Sequence, residues 1–288
     1  MPRSVTDVAR RAVCGLLDLL FPGACRVCGG SLHELSRIPV CAECLTKPEP
    51  MQTDYCCSAC RMPFVSPAPL DEAGRCALCR LGVQGFDAAY TYGSYEGVLR
   101  QLVHLFKYGG VRPLSKVFGT WLALAMPREQ RFDVVVPMPL HWRRKWQRGF
   151  NQSELLAQEI ARRWNVPVRN LVRRRKATEI QAGLTNAKRR ANVQGAFALR
   201  RGRRLDGLRI LLVDDVLTTG ATAAACARSL KRAGAKHVAV LALARTDRRL
   251  LIDFEAPDSP VSGVPSPTEQ ATAQAITTAA HAAGSSWL

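Results

Sequence analysis

Residues 208 to 230 read LRILLVDDVLTTGATAAACARSL, and this stretch limits the folds open to the chain more than any other. Four apolar residues, Ile210 to Val213, run directly into two adjacent carboxylates, Asp214 and Asp215, and then into a turn of small residues that opens a helix. A short apolar run bounded in this way is a strand buried on both faces, which belongs to a parallel sheet covered by helices. The surrounding pattern agrees. FDVVVPMP at 132–139 and HVAVLALAR at 237–245 read as further buried strands. YEGVLRQLVHLFKY at 95–108, LSKVFGTWLALAM at 114–126, NQSELLAQEIARRW at 151–164 with an Asn or Ser cap, and ATAAACARSLKRAG at 221–234 read as helices. FDAAYTYGSY at 86–95 reads as a hairpin or a pair of short strands. Strands alternating with helices of this length predict an α/β fold with right-handed crossovers, and ligands in such sheets gather at the carboxyl ends of the strands.

That geometry gives the acids and the turn separate work. Backbone N–H groups between Leu217 and Thr222, the helix N-terminus behind them and the hydroxyls of Thr218, Thr219 and Thr222 make a cradle for an anion, with Gly220 and Ala221 keeping the backbone accessible. Asp214 and Asp215 would repel that anion and need a different partner, either sugar hydroxyls or a magnesium shell. A phosphate and a diol held side by side describe a ribose 5-phosphate. A simple helix cap uses one acid and has no need of the TTG turn.

Eight of the eleven cysteines form four CxxC pairs, Cys25 with Cys28, Cys41 with Cys44, Cys57 with Cys60 and Cys76 with Cys79. Two thiolates on one tight turn point at one ion, and a second turn completes a tetrahedral shell, so the pattern predicts structural zinc. Redox CxxC motifs come singly in a strand and helix context. Sequential and interleaved pairings, and one ion or two, are all compatible with the spacing. Shells of four sulfurs are closed to substrate, so these metals take no part in catalysis. Cys14 and Cys226 lie in apolar helical patterns and read as core, while Cys56 is a spare thiol.

Lys plus Arg exceed Asp plus Glu by 18 over the 288 residues, with clusters at 141–148, 173–176, 188–190 and 200–204, which points to a polyanion or a phosphorylated ligand. HWRRKWQRGF interleaves Trp142, Trp146 and Phe150 with Arg143, Arg144, Lys145 and Arg148, an arrangement suited to unpaired bases and their phosphates. Arg173, Arg174 and Arg175 are a second candidate nucleic-acid contact; the competing reading of the tryptophans is mutual packing across one helical turn. Asp18 interrupts the first apolar run, which argues against a signal peptide, and no stretch reaches the roughly 20 apolar residues of a membrane span. A cytoplasmic setting is expected, because an oxidising compartment would put the CxxC thiols at risk. The division that follows is an amphipathic helix over 1–24, a cysteine module over 25–84, an α/β domain over 85–255 and a disordered tail rich in Pro, Ser, Thr and Ala over 256–288.

The stretch LLVDDVLTTGAT resembles the phosphoribosyl diphosphate (PRPP) motif of type I phosphoribosyltransferases. The CxxC pairs, YEGVLRQLVHLFKYGG, VVVPMPLHWRRKWQRGFNQSELLA, Gln181 with Leu184, Arg190 and NVQGAF at 192–197 are similar, in order, to the ComF family of competence-related proteins, ComFC-like and GntX-like members included. The resemblance implies a type I phosphoribosyltransferase fold with a small N-terminal zinc-binding module of four-cysteine type, magnesium with PRPP, and a role in handling single-stranded DNA during natural transformation. It also implies partners among DNA-uptake helicase or recombination proteins. By the same resemblance Asp214 and Asp215 face the ribose 2′ and 3′ hydroxyls, 218–222 form the 5-phosphate loop, and Lys176 to Arg190 stand where the superfamily has its mobile catalytic loop. The turn carrying Met138 and Pro139 takes the place of the pyrophosphate loop, with Arg143, Arg144 and Lys145 to neutralise the charge. No hood for reading a nucleobase is recognisable, unless the cysteine module serves as one. Two readings stay open: a PRPP-binding protein that assists DNA uptake, and an active transferase of nucleotide metabolism with an unidentified acceptor and no DNA role.

Overall fold

A computed structural model describes residues 23–32, 36–82, 84–142, 146, 148–175, 195–200 and 204–246. Arg143, Arg144, Lys145, the segment from Lys176 to Arg190, Cys14 and the tail over 256–288 lie outside the described residues, as does the helix expected over 1–24 apart from its last two residues. Those two, Gly23–Ala24, are a short strand β1 that pairs antiparallel with β2, Ser31–Leu32. Ala42–Thr46 (α1) and Ala77–Arg80 (α2) are short helices that begin directly after Cys41 and Cys76.

The main sheet holds four parallel strands: β3, Ala88–Ser94; β4, Val134–Pro137; β7, Arg209–Leu217; and β8, His237–Arg245. Their order across the sheet is β3, β8, β7, β4. The helices are α3, Gly97–Tyr108; α4, Leu114–Leu124; α5, Gln152–Trp164; and α6, Ala221–Arg232. A small antiparallel pair, β5 (Val172–Arg174) and β6 (Phe197–Leu199), completes the set. Two expectations are corrected. The stretch at 86–95 is one strand, not a hairpin: it pairs in parallel with β8 from Ala88 to Ser94. And β7 does not stop at the acids, because β8 extends far enough for ladder pairing to continue from Asp214 through Leu217.

Alternation along β7 divides the interior. Ile210 and Leu212 face a core completed by α6, β5, β6 and the residues around the last two CxxC pairs. Leu211 and Val213 face a core built from α3, α4 and α5, where Leu99, Leu102, Val103 and Phe106 form a stripe at helical spacing and Phe106 packs edge-on against Phe118. Each such fully buried side chain contributes about 1.5–3 kcal/mol. The cysteine module therefore adds to both cores: Cys25, Val40 and Cys44 belong to one, and Cys57, Cys60, Met62 and Leu78 to the other.

Both edges of the sheet are covered, which blocks strand addition from outside. The Cys60 carbonyl accepts from Ala89 N–H and the Tyr92 carbonyl from Met51 N–H at β3, while Val168 bridges to Val135 at β4. The helix after β4 lies on one face and the helix after β7 on the other. Adjacent strands whose connections leave in opposite directions open a crevice at their carboxyl ends, and it lies between Pro137 and Val213 in register. Among the described residues no helix is long and apolar enough to cross a membrane.

Candidate functional site

A cavity of about 270 Å³ occupies that crevice. Asp214 and Asp215 are on its floor, and Met138, Pro139 and Leu140 of the turn after β4 form one wall. Thr218, Gly220, Thr222 and Ala223 form another, where α6 begins. Gly220 is the N-cap of that helix with φ +77°, a left-handed conformation in which a side chain is strained. Thr219 and Ala221 do not line the cavity. The Thr219 hydroxyl instead accepts from Ala221 N–H at 3.3 Å, satisfying one of the helix's orphan donors.

The first turn of α5 organises the site through three consecutive polar residues that are all buried. Asn151 stands at the N-cap position, yet its side chain does not cap: Nδ2 donates to the Met138 carbonyl at 3.1 Å and holds the turn after β4. Gln152 Nε2 donates to the Lys107 carbonyl at 3.2 Å, and its Oε1 accepts from Arg148 at 3.2 Å. Ser153 Oγ donates to Asp214 Oδ1 at 3.1 Å, an oxygen that also accepts from Asp215 N–H at 2.9 Å.

The two acids differ in environment. Burial, and then the neighbouring Asp215 charge, push Asp214 up to about 7, against the opposing pull of the Asp215 N–H, Lys107 and Ser153. Asp215 has an ion pair with Lys107 Nζ at 3.0 Å, both side chains being largely buried. Burial works to lower the Lys107 pKa, but Asp215 overrides it and the net shift is upward. Lys107 is thus held as a cation on the cavity wall, with the Tyr95 ring 5.9 Å from its Nζ.

Three more predicted residues change role. Arg148 and Arg174, read from sequence as nucleic-acid contacts, both line the cavity. Arg148 is fixed there by Gln152 and by the Tyr108 hydroxyl at 3.1 Å, its guanidinium 4.9 Å from the Tyr108 ring centre. Arg174 alternates inward on β5 against Phe197, whereas Arg173 and Arg175 are exposed. Phe150 is removed from the stacking set: it is 8% exposed, packs on Phe106 and is covered by Arg112. Trp142 and Trp146, in helical conformation, are 66% and 85% exposed, which argues against their packing as a pair. Sequence reasoning missed Lys107, Asn151, Gln152 and Ser153. Their one signal was polarity at the end of an apolar helical stripe and in the first turn of a helix that follows a strand.

The cysteines gather into two tetrads of sequential pairs, Cys25, Cys28, Cys41 and Cys44, and Cys57, Cys60, Cys76 and Cys79, with the sulfurs of each within 4.8 Å of one another. Separations of 3.8 Å (Cys28 to Cys41), 3.6 Å (Cys57 to Cys79) and 3.7 Å (Cys60 to Cys76) fit the edge of about 3.8 Å in a tetrahedron of thiolates about 2.3 Å from a central ion. Amides support the sulfurs, with Cys41 N–H donating to Cys25 Sγ and Cys76 N–H to Cys57 Sγ, each at 3.3 Å. Either tetrad could hold a metal ion. Cys56 is exposed outside them, and Cys226 is fully buried in the core.

Comparison with known proteins gives this architecture a class. Residues 151–262 match the family model described as the phosphoribosyl transferase domain, which contains α5, β7 and α6, and the fold is that of a type I phosphoribosyltransferase domain beside two cysteine tetrads. Competence protein F of Haemophilus influenzae is 29% identical over 233 residues, covering 78% of this chain and 98% of that protein. DNA utilization protein YhgH of Escherichia coli K12 is 31% identical over 239 residues, covering 79% of this chain and 99% of that one. The chain belongs to the ComF family. A solved glutamine phosphoribosylpyrophosphate (PRPP) amidotransferase from B. subtilis is similar over 45% of this chain and 26% of its own, at 25% identity and a TM-score of 0.32, an overlay that adds nothing about the site.

Proposed function

We propose that the chain binds PRPP with magnesium in the crevice between β4 and β7 and binds single-stranded DNA through the basic stretch at 141–148, in a competence or DNA utilization role. The observation that carries this reading is the convergence on one cavity of a carboxylate pair and a helix-opening turn, each with its own class of partner. Asp214 and Asp215 accept from the ribose hydroxyls, and the backbone of 218–222 with the N-terminus of α6 receives the 5-phosphate. The turn at Met138 and Pro139 faces the diphosphate, with Lys107 and Arg148 positioned on the wall to offset its charge. Magnesium would be held with the diphosphate in the cavity lined by Met138, Pro139, Asp214 and Asp215, and there it would supply charge screening of the leaving group. If the phosphoribosyl group is transferred to an acceptor, the bond from ribose C1 to the diphosphate breaks with oxocarbenium character, the diphosphate leaves with the bonding electrons and the acceptor's lone pair forms the new bond to C1; these residues contribute orientation and charge stabilisation without forming a covalent intermediate.

The DNA part of the reading is supported by the exposed Trp142 and Trp146 within a basic stretch and by the names of the relatives. The two tetrads hold structural zinc, and a cytoplasmic setting keeps their thiols reduced. Calorimetric titration with PRPP and magnesium, followed by a single-stranded oligonucleotide, tests both parts. Saturable PRPP binding that disappears in the Asp214→Asn, Asp215→Asn double variant is expected, together with oligonucleotide affinity that falls as salt rises. PRPP binding that survives the double substitution sinks the sugar site, and salt-independent oligonucleotide binding sinks the basic stretch.

A further inference from the structure

The two cysteine tetrads are alike in ligands and unlike in what they touch. The second one stands against the turn that opens α6. A Cβ placed on Gly220 would lie 2.9 Å from Met62 Cε, 3.0 Å from Leu78 Cδ1 and 3.8 Å from Phe86 Cζ. Met62 follows Cys60 by two residues and Leu78 lies between Cys76 and Cys79, so both side chains grow from the knuckles of that tetrad. They share a core with Leu217, Ala223 and Ala224, which flank the turn on either side. The chain then returns across the same helix at Gly85, where a Cβ would lie 2.3 Å from the Ala224 carbonyl oxygen. The first tetrad has no such contact among the described residues: Cys25, Val40 and Cys44 pack in the other core, with Tyr92 and Leu99.

We infer that the second tetrad is a positioning device for the turn at 218–222, with Met62 and Leu78 pinning Gly220, while the first tetrad braces the opposite face and leaves that turn alone. The ligand consequence rests on the reading of 218–222 as a phosphate-binding turn; the pinning itself does not. Gly220 is in a left-handed conformation, and the turn that brings Thr218, Gly220 and Thr222 to the cavity keeps its shape only while that conformation holds. The Met62 and Leu78 side chains crowd Gly220 closely enough that a Cβ there would have to displace them, and a closed tetrahedral metal shell would fix the knuckles that bear them. Metal bound by the cysteines of 57–79 is therefore coupled to the crevice through packing, without touching a ligand there.

Met62→Ala and Leu78→Ala test this with every sulfur intact. Each is expected to raise the Kd for PRPP with magnesium about tenfold through loss of orientation. Hydrogen exchange of the 218–222 amides should quicken in both, and metal content should stay at two ions per chain. Met62→Leu should restore affinity and protection, and Val40→Ala, next to the first tetrad, should change neither. Unchanged exchange and affinity in both alanine variants overturns the proposal, as does an equal change in Val40→Ala. If the unaltered protein fails to bind PRPP while exchange quickens only in the Met62 and Leu78 variants, the pinning stands and the ligand reading falls.

Discussion

Asp214→Asn should make the protein more stable while removing a ligand to the sugar. The carboxyl titrates near 7 in the folded chain against 3.8 ordinarily, with burial as the main cause and Asp215 next. Three pH units amount to about 4 kcal/mol of destabilisation of the ionised form. The cavity admits water, and halving the figure for screening leaves about 2 kcal/mol. Asparagine keeps an oxygen for the two donors on Oδ1, Ser153 Oγ and Asp215 N–H, so those bonds need not be lost. For a folded part of this size the gain is about 4–8 °C in Tm. The sign fixes the pH window. Below the ordinary value the acid is neutral in both states and asparagine gains nothing. Between there and about 7 the folded chain binds a proton that the unfolded chain has released, so the native protein loses stability as pH rises and the advantage of the variant grows; above 7 it is constant. Thermal melts of both proteins from about pH 4 to 8, without ligand, measure it. An asparagine variant no more stable at the alkaline end, or equally favoured at both ends of the range, would show that burial does not strain this acid.

The partner acid should respond in the opposite sense. Asp215→Asn leaves the Lys107 ammonium buried without its 3.0 Å counterion and should cost about 3 kcal/mol in urea unfolding, much of it recovered by adding Lys107→Met. Trp146→Ala should weaken binding of a single-stranded oligonucleotide about tenfold with the melt unchanged, as stacking on one exposed ring implies. Phe150→Ala, by contrast, should cost about 3–4 kcal/mol of stability, because it empties a place in the core. Native mass spectrometry should find two zinc ions per chain, and Cys60→Ser should reduce the count to one and lower the melting temperature.

The sequence carried the fold wherever one periodicity ruled. The strands at Val134, Ile210 and Val238 are apolar on both faces because helices cover both, and that is visible without coordinates. β3 misled because aromatic and polar residues alternate along it: Tyr92 stacks on Trp121 on one face while Ala89 faces the other core, and an edge strand under a cysteine module needs no continuous apolar run. In the site, the residues contiguous with the Asp pair were legible because strand, turn and helix follow one another. The distant ones were hidden. Lys107 and Ser153 reach the acids only because the order of strands brings the end of α3 and the start of α5 beside the carboxyl end of β7, and topology of that kind leaves no local mark. The triplet at 173–175 shows the reverse failure. As sequence it is one basic cluster, but strand alternation sends Arg174 into the cavity and leaves its neighbours outside.

The charge of the whole chain does not describe the charge of this site. Against a surplus of 18 cations overall, the described residues that line the cavity include three cations, Lys107, Arg148 and Arg174, and two acids, a surplus of one when both acids are ionised. A ligand with a monophosphate at one end and a diphosphate at the other carries more negative charge than that surplus offsets, and one of the three cations is already engaged by Asp215. PRPP affinity should therefore depend steeply on magnesium, falling at least about tenfold when the metal is chelated with zinc left in place, while affinity for ribose 5-phosphate, which lacks the diphosphate, should change far less. Calorimetry with the two ligands, each with and without magnesium, separates the contributions. Equal magnesium dependence for both ligands would assign the metal to the acids on the floor and not to the diphosphate, and the division of labour between carboxylates and turn would have to be redrawn.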